Sequence, residues 1–304
     1  MITGKYVFWY NDYRPAIYRY SQVSHQWAKL IKKSTNLRFA LVDDPIYFAP
    51  LVKKLKKYNV PIIALSQNLE SLVPGQRKEK LQKILINKEL NILSACNLVV
   101  TNSREETFLL DNLNIKTVFL PYYPSARRVN RMLGIRKNRQ HSKKKKGIIL
   151  IGTAVNKPTQ EGMIKIINLW EKNNLARKYD KLLVAGFGTE SLKSIVQGDG
   201  IEFLGTLTNE KHDEVLSSVK ACLCYQEKGC GALTRIPDML IAMVPVVANS
   251  HAARSYYNLK GVIEFSSFEK LEQAFQKIEI VEDHIPILDP PDTSLLLSEI
   301  SKFL

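Results

Sequence analysis

Apolar residues along the chain gather into short continuous runs, separated by stretches in which they recur every three or four positions. The runs at residues 5–10, 38–42, 60–65, 98–101 and 117–120 read as strands in the first half. Those at 147–151, 181–185, 201–204, 221–225 and 245–248 read as strands in the second. Between them, residues 22–33, 48–58, 78–94 and 104–113, then 160–172, 190–196, 211–219, 235–243 and 268–277, have helical spacing. In 48–58, Leu51, Val52, Leu55 and Tyr58 share one side, and Lys53, Lys54, Lys56 and Lys57 lie outside it. In 160–172 the apolar side is Met163, Ile166, Ile167 and Trp170. Strands that are apolar throughout, alternating with helices, predict a parallel sheet covered on both faces. Residues 293–304 form a last amphipathic helix with Leu295, Leu296, Ile300 and Phe303 apolar.

The strand–helix pattern stops once and restarts. Residues 127–146 carry Arg127, Arg128, Arg131, Arg136, Lys137, Arg139 and Lys143 to Lys146, with little apolar content after Ile135. This predicts an α/β protein of two parallel-sheet domains: residues 1–128, a basic linker at 129–146, residues 147–290, and a C-terminal helix at 291–304. A chain of 304 residues is long enough for two cores. The longest apolar run, 236–248, contains Asp238 and two prolines and is too short to span a bilayer, and no secretory signal is visible at the N-terminus. Lys plus Arg is 44 against 29 for Asp plus Glu, a net charge of +15, which suits polyanions, anionic membrane surfaces or phosphorylated ligands. The four cysteines (Cys96, Cys222, Cys224, Cys230) form no CxxC and no disulfide framework, and the histidines show no ligand-like spacing, so a reducing cytoplasm and no metal site are expected.

Ligands of open parallel sheets bind beyond the carboxyl ends of the strands. Gly152, the pair Gly186 and Gly188, Gly205, and the pair Gly229 and Gly231 follow four successive strand-ends in the second half. The richest segment is 229–240, GCGALTRIPDML. Gly229, Gly231 and Ala232 leave room for a ligand against the backbone. Thr234 is placed to cap the helix, and Pro237 suits its first turn. Arg235 offers a two-pronged donor to phosphate oxygens, and Asp238 an acceptor for ribose hydroxyls. The alternative is a capped core helix with an Arg235–Asp238 surface pair. Gly186-Phe187-Gly188 lacks the third glycine of a dinucleotide fingerprint, and neither a Walker lysine motif nor an Asp-x-Asp is present.

Over residues 60–275 these segments resemble the GT-B glycosyltransferases, in particular the retaining, family-4-like group. Residues 64–70 (ALSQNLE) resemble the family's His-Asn-x-Glu strand end, followed by Lys88-Glu89 on a helix. Residues 98–103 (LVVTNS), 120–124 (LPYYP), 149–162 (ILIGTAVNKPTQEG), 185–188 and 203–205 resemble further strand ends, and 235–247 the donor helix and strand ending in Pro-Val-Val. The resemblance implies two Rossmann-like domains facing a cleft, the N-terminal one shortened. It implies a donor nucleotide-diphosphate sugar with no cofactor and no metal, and transfer to a glycan or lipid-linked acceptor. Arg235 would contact the diphosphate, Asp238 would replace the ribose-binding glutamate, Gly205 and Thr206 would lie beside the base, and Gly152 and Thr153 would face the phosphates or sugar. Gln67, Asn68 and Glu70 would stand on the acceptor side.

Three departures bear on chemistry. Cys230 stands where the family's first glutamate falls, with Glu227 the nearest carboxylate; Gln67 replaces the histidine; Met243 replaces a glycine before Val244-Pro245. The sequence therefore predicts a cytoplasmic glycosyltransferase with peripheral contact to anionic membrane and no specific nucleic-acid partner. A sugar-nucleotide-binding protein without turnover and a sugar-nucleotide epimerase on the same fold stay open.

Overall fold

The structure is a computed structural model, and it describes residues 26–27, 37–73, 79–142, 144–195, 198 and 200–304. The strand expected at 5–10 lies outside the described residues, as does the helix expected at 22–33 apart from Gln26 and Trp27, which are helical. The chain divides into two compact units. The first holds the described residues up to Pro121 together with Asp292–Leu304, and the second is Tyr122–Pro291.

In the first unit the order is β1 (Ala40–Asp43), α1 (Ala49–Lys57), β2 (Ile62–Ser66), α2 (Glu79–Leu93), β3 (Leu98–Thr101), α3 (Arg104–Asn112) and β4 (Thr117–Phe119). The strands form a parallel sheet in the order β1-β2-β3-β4, with Ile63 beside Leu98 and Val100 beside Val118. Ala64 and Val99 pack on one face with Leu93, Leu110 and Ile115, while Ile63, Leu98, Val100 and Val118 form the other. Burial on both faces is why these strands read as unbroken apolar runs.

The second unit runs α4 (Ala126–His141), β5 (Ile148–Ile151), α5 (Lys157–Lys172), α6 (Ala176–Tyr179), β6 (Leu182–Ala185), β7 (Ile201–Gly205), α7 (Asn209–Ser218), β8 (Ala221–Cys224), α8 (Arg235–Ile241), β9 (Val246–Asn249), α9 (Ser250–Ala253), β10 (Val262–Phe265), α10 (Leu271–Gln276) and α11 (Ile278–Glu282). Six parallel strands lie in the order β10-β9-β8-β5-β6-β7. Alternate residues serve two cores. Ile149, Cys222, Val246 and Ala248 face Met132, Ile135, Leu216, Ile236 and Leu240. Ile148, Leu150, Val184 and Leu223 face Met163, Ile166, Ile167 and Trp170 of α5. The chain then returns to the first unit as α12 (Ser294–Ser301), where Leu296, Ile300 and Phe303 cover Ile63, Leu98, Val100 and Val118.

Three expectations are corrected. Residues 129–146 are not a linker: most of them belong to α4, which packs on α7 and α8 in the core of the second unit, and the boundary falls at Pro121–Tyr122. Arg128, Arg131, Arg136 and Arg139 have partners within the second unit, while Arg127 is exposed. The helix expected at 190–196 is a single 3-10 stretch, Thr189–Ser194. Strand β10, with only Ile263 and Phe265 buried, was not expected, because its alternating edge pattern lacks an unbroken apolar run.

Candidate functional site

The chain leaves β5 toward β6 and β7 on one side, then crosses to β8, β9 and β10 on the other. The carboxyl ends of β5 and β8 therefore form the topological switch point, where open α/β sheets take their ligands. Arg235, the first residue of α8, reaches it: Nη1 donates to the carbonyl of Ile151, the last residue of β5. A Cβ on Gly152 would come within 2.6 Å of that nitrogen and 2.7 Å of Thr159 Cγ2, so the glycine is what lets the guanidinium lie over the strand end. Gly186, at φ +122, brings its own Cα against the Gly152 carbonyl, which any side chain would strike. The structure thus gathers Gly152, Gly186 and Arg235. Thr153 is exposed in the turn that follows.

The loop after β8 is fastened from behind. Asn249, at the end of β9, accepts the Gln226 N–H on Oδ1 (3.0 Å) and donates Nδ2 to the Gln226 carbonyl (2.6 Å). Arg254 gives Nε to the Gly231 carbonyl (2.6 Å), Nη2 to the Cys230 carbonyl (2.7 Å) and Nη1 to Gln226 Oε1 (2.8 Å) and to the His251 carbonyl. A Cβ on Gly229 would stand 2.9 Å from both Arg254 Nη2 and Gln226 Oε1. Ala232 is half-buried and Thr234 is exposed. Thr234 is no cap, since its backbone is already helical (φ −57°, ψ −21°) and its side chain takes no capping hydrogen bond. Glu227 is not brought to the glycines. It pairs with Lys165 of α5 and accepts from Tyr225 Oη (3.3 Å), and the hydrogen bond from Lys165 holds its carboxyl below the usual range.

Asp238 does not pair with Arg235. Its Oδ2 accepts Nε (3.2 Å) and Nη2 (2.9 Å) of Arg128 from α4, and it is only 6% exposed. Oδ1 of Asp238 and the hydroxyl of Tyr256 are buried with no hydrogen-bond partner among the described residues. Burial pushes the Asp238 carboxyl up, and Arg128 pulls it back. The charge of Asp238, after burial, also raises the phenol of Tyr122. At the far end of the sheet, the Thr206 N–H donates to Glu190 Oε1 (3.0 Å), and Gly205 is small because that carboxylate lies 2.5 Å from where its Cβ would be.

In the first unit, Gln67, Asn68 and Glu70 follow β2. Asn68 donates to Glu70 Oε1, and Tyr47 Oη to Glu70 Oε2 (3.1 Å), while Gln67 Nε2 reaches Asp43 Oδ1 (3.4 Å). Two buried carboxylates hold this loop by its backbone. Glu89 accepts the N–H groups of Glu70 and Ser71 (both 2.9 Å), and Glu106 that of Leu69 (3.2 Å). Burial, then the charges of Asp43 and Glu70, raise the Asp44 carboxyl to about 6.

The sequence named Glu89 through the resemblance, but not Arg254, Asn249, Glu190 or Glu106 as residues that build these loops. Lone polar residues carry no spacing signal; Arg254 and Glu190 at least lie against glycines that the sequence marked, Gly229 and Gly205, while Asn249 and Glu106 hold the backbone of Gln226 and Leu69. Among the described residues no group of three or more His, Cys, Asp or Glu side chains is placed to hold a metal ion.

No family model and no curated protein sequence matches this chain. Solved structures do. Sucrose-phosphate synthase from Thermosynechococcus elongatus superposes with a TM-score of 0.62 at 13% identity, over 96% of this chain and 75% of that one. TarM gives 0.64 at 14%, over 94% of this chain and 58% of that one. Anabaena Alr3699/HepE, solved in complex with UDP, gives 0.59 at 10%, over 87% and 74%. The fold is therefore the GT-B fold of these glycosyltransferases, two parallel α/β units with the first one small.

Proposed function

We propose that the protein is a glycosyltransferase. It takes a nucleotide-diphosphate sugar at the carboxyl edge of the second sheet and passes the sugar, with retention and without a metal, to a glycan or lipid-linked acceptor bound by the first unit around Gln67, Asn68 and Glu70. The observation that carries this reading is Arg235, held over Gly152 at the switch point between β5 and β8. As the bond from sugar to diphosphate breaks, negative charge builds on the departing phosphate. A guanidinium held by one nitrogen on the Ile151 carbonyl meets that charge with little reorganisation, its remaining N–H groups serving as donors to phosphate oxygens. Fold likeness to proteins such as the UDP-bound Anabaena Alr3699/HepE supports a nucleotide donor. With Glu227 tied to Lys165 and Cys230 at the position of the family's first glutamate, no carboxylate of that loop is left to act as nucleophile, which suits a reaction driven by leaving-group stabilisation.

The same two facts favour a second reading, a protein that binds the sugar nucleotide without turning it over. One experiment separates the readings. Nucleotide sugars with uridine, guanosine, adenosine and thymidine bases are screened by thermal shift, and donors that bind are assayed for hydrolysis and transfer. Turnover is expected, and Arg235→Ala lowers it on the order of 100-fold, as loss of one preorganised donor does. Arg235→Lys recovers only part, because an ammonium cannot make the paired contact. Binding without turnover establishes the second reading, and wild-type turnover in Arg235→Ala moves the donor site elsewhere.

A further inference from the structure

The four strands of the first unit lie in chain order and in parallel, β1-β2-β3-β4. Right-handed crossovers that always step in one direction leave their helices on one face of such a sheet. The packing agrees. Val52 and Leu55 of α1 and Leu93 of α2 cover Val42, Ile62, Ala64 and Val99, while α12 covers the opposite face. Ile92 of α2 also packs on the α1 cluster, so the two helices lie side by side.

What this pair of helices turns outward is basic. On α1, Lys53, Lys56 and Lys57 are exposed at spacings of three and four, while Val52 and Leu55 are buried. On α2, Lys83, Ile84, Asn87, Lys88 and Asn91 form one exposed stripe, and Glu89 turns inward to the N–H groups of Glu70 and Ser71. Helix α1 contains no acidic residue, and none of these five lysines has an ion-pair partner among the described residues. Apolar surface is interleaved with them: Tyr58, just after α1, is 41% exposed and Ile84 is 52% exposed.

We propose that this outer face of α1 and α2 is where the protein rests on an anionic membrane surface. Each lysine near such a surface strengthens association about fivefold. The lysine stems, with Tyr58 and Ile84, suit the boundary between headgroups and acyl chains, which a polynucleotide does not offer. The contact is independent of the donor site, because both helices belong to the first unit and Arg235 and its glycines to the second.

The test floats the full chain with vesicles of phosphatidylcholine alone, or of phosphatidylcholine and phosphatidylglycerol in equal parts. Binding is expected to the second kind only. Sodium chloride at about 0.5 M should release it, because the screening length then falls to a few ångströms. Lys53→Gln with Lys56→Gln and Lys57→Gln should weaken binding on the order of 100-fold, three steps of about fivefold. Lys172→Gln with Lys193→Gln and Lys260→Gln removes as much charge from exposed positions of the second unit and should change it little. Equal loss in the two triple variants overturns the proposal in favour of undirected net charge. Equal binding to both vesicles, binding that salt leaves intact, or no vesicle binding at all overturns it too. If the wild type instead binds a single-stranded polynucleotide and the first triple variant does not, the face belongs to nucleic acid. Should that variant not fold, Lys56→Gln alone serves: a loss of about fivefold is expected, and unchanged binding refutes the face. Nucleotide binding should be the same in every folded variant, so this contact and the donor site fail separately.

Discussion

Arg139 carries its charge at a position with no exposed surface. Its guanidinium donates to the carbonyls of Met243 (3.0 Å), Leu216 (2.6 Å) and Val219 (2.7 Å) and to Glu282 Oε1 (2.6 Å), which Lys145 also approaches (2.7 Å). Leu216 and Val219 close α7, and Met243 follows α8, so one side chain satisfies carbonyls that two helix ends leave unpaired. It also anchors Met243, which adopts φ +61°, a left-handed conformation that side chains rarely take. Arg139→Met should cost about 3–5 kcal/mol in urea unfolding, because it leaves three carbonyls unpaired and Glu282 with Lys145 as its remaining cation. Adding Glu282→Leu should recover part and not all of that loss. Asp44 makes a different case. Its carboxyl is raised from 3.8 to about 6, chiefly by burial and then by Asp43 and Glu70, so the native state binds this proton more tightly than the unfolded chain. The stability it contributes is complete below the lower value and is lost as pH climbs through the upper one. Asp44→Asn, which tolerates the observed φ of +47°, should therefore raise the melting temperature at about pH 7 and leave it unchanged at about pH 4. Half-exposure of the group keeps the gain modest.

At the scale of elements, strands buried on both faces were legible in sequence, and α4 was not. Continuous apolar runs marked β2, β3, β5, β6, β8 and β9 because nothing polar interrupts a strand covered twice. In α4 the inward stripe includes Arg128, Arg131, Ile135 and Arg139, arginines standing at helical spacing where apolar residues were sought. Arg128 meets Asp238, Arg131 meets Asp213 (2.6 Å), Arg136 bonds the Pro286 carbonyl (3.3 Å), and Arg139 is enclosed. A hydropathy pattern scores those positions as solvent, and their partners lie about 80 to 150 residues further along the chain. The glycines misled in a related way. Gly152, Gly205 and Gly229 were read as space for a ligand, yet Arg235, Glu190 and Arg254 fill that space within the protein itself. The glycines stand at the carboxyl edge of the sheet to make room for these side chains, a reason one step removed from binding. The last helix was legible because its stripe is plain. Leu296→Ala with Ile300→Ala should lower the stability of the first unit by about 2–4 kcal/mol, read as faster amide exchange in β2 and β3 with β5 and β8 unaffected.

For the whole molecule, Arg128, Arg131 and Arg139 cancel against Asp238, Asp213 and Glu282 within the second unit, so the net charge of +15 is carried by the other charged residues. The lysines of α1 are a more open source of positive charge: Lys53, Lys56 and Lys57 are exposed beside buried Val52 and Leu55. Among the described residues no helix is long and apolar enough to cross a membrane. The path of the chain has a consequence in time. It leaves the first unit at Pro121, builds the whole of the second, and supplies Leu296, Ile300 and Phe303 to the first core only afterwards. During synthesis, then, the unit begun first is the one finished last. Until α12 emerges from the ribosome, Ile63, Leu98, Val100 and Val118 lack their cover, and a nascent chain halted anywhere in between presents an unfinished apolar sheet to chaperones while its second unit is already able to fold.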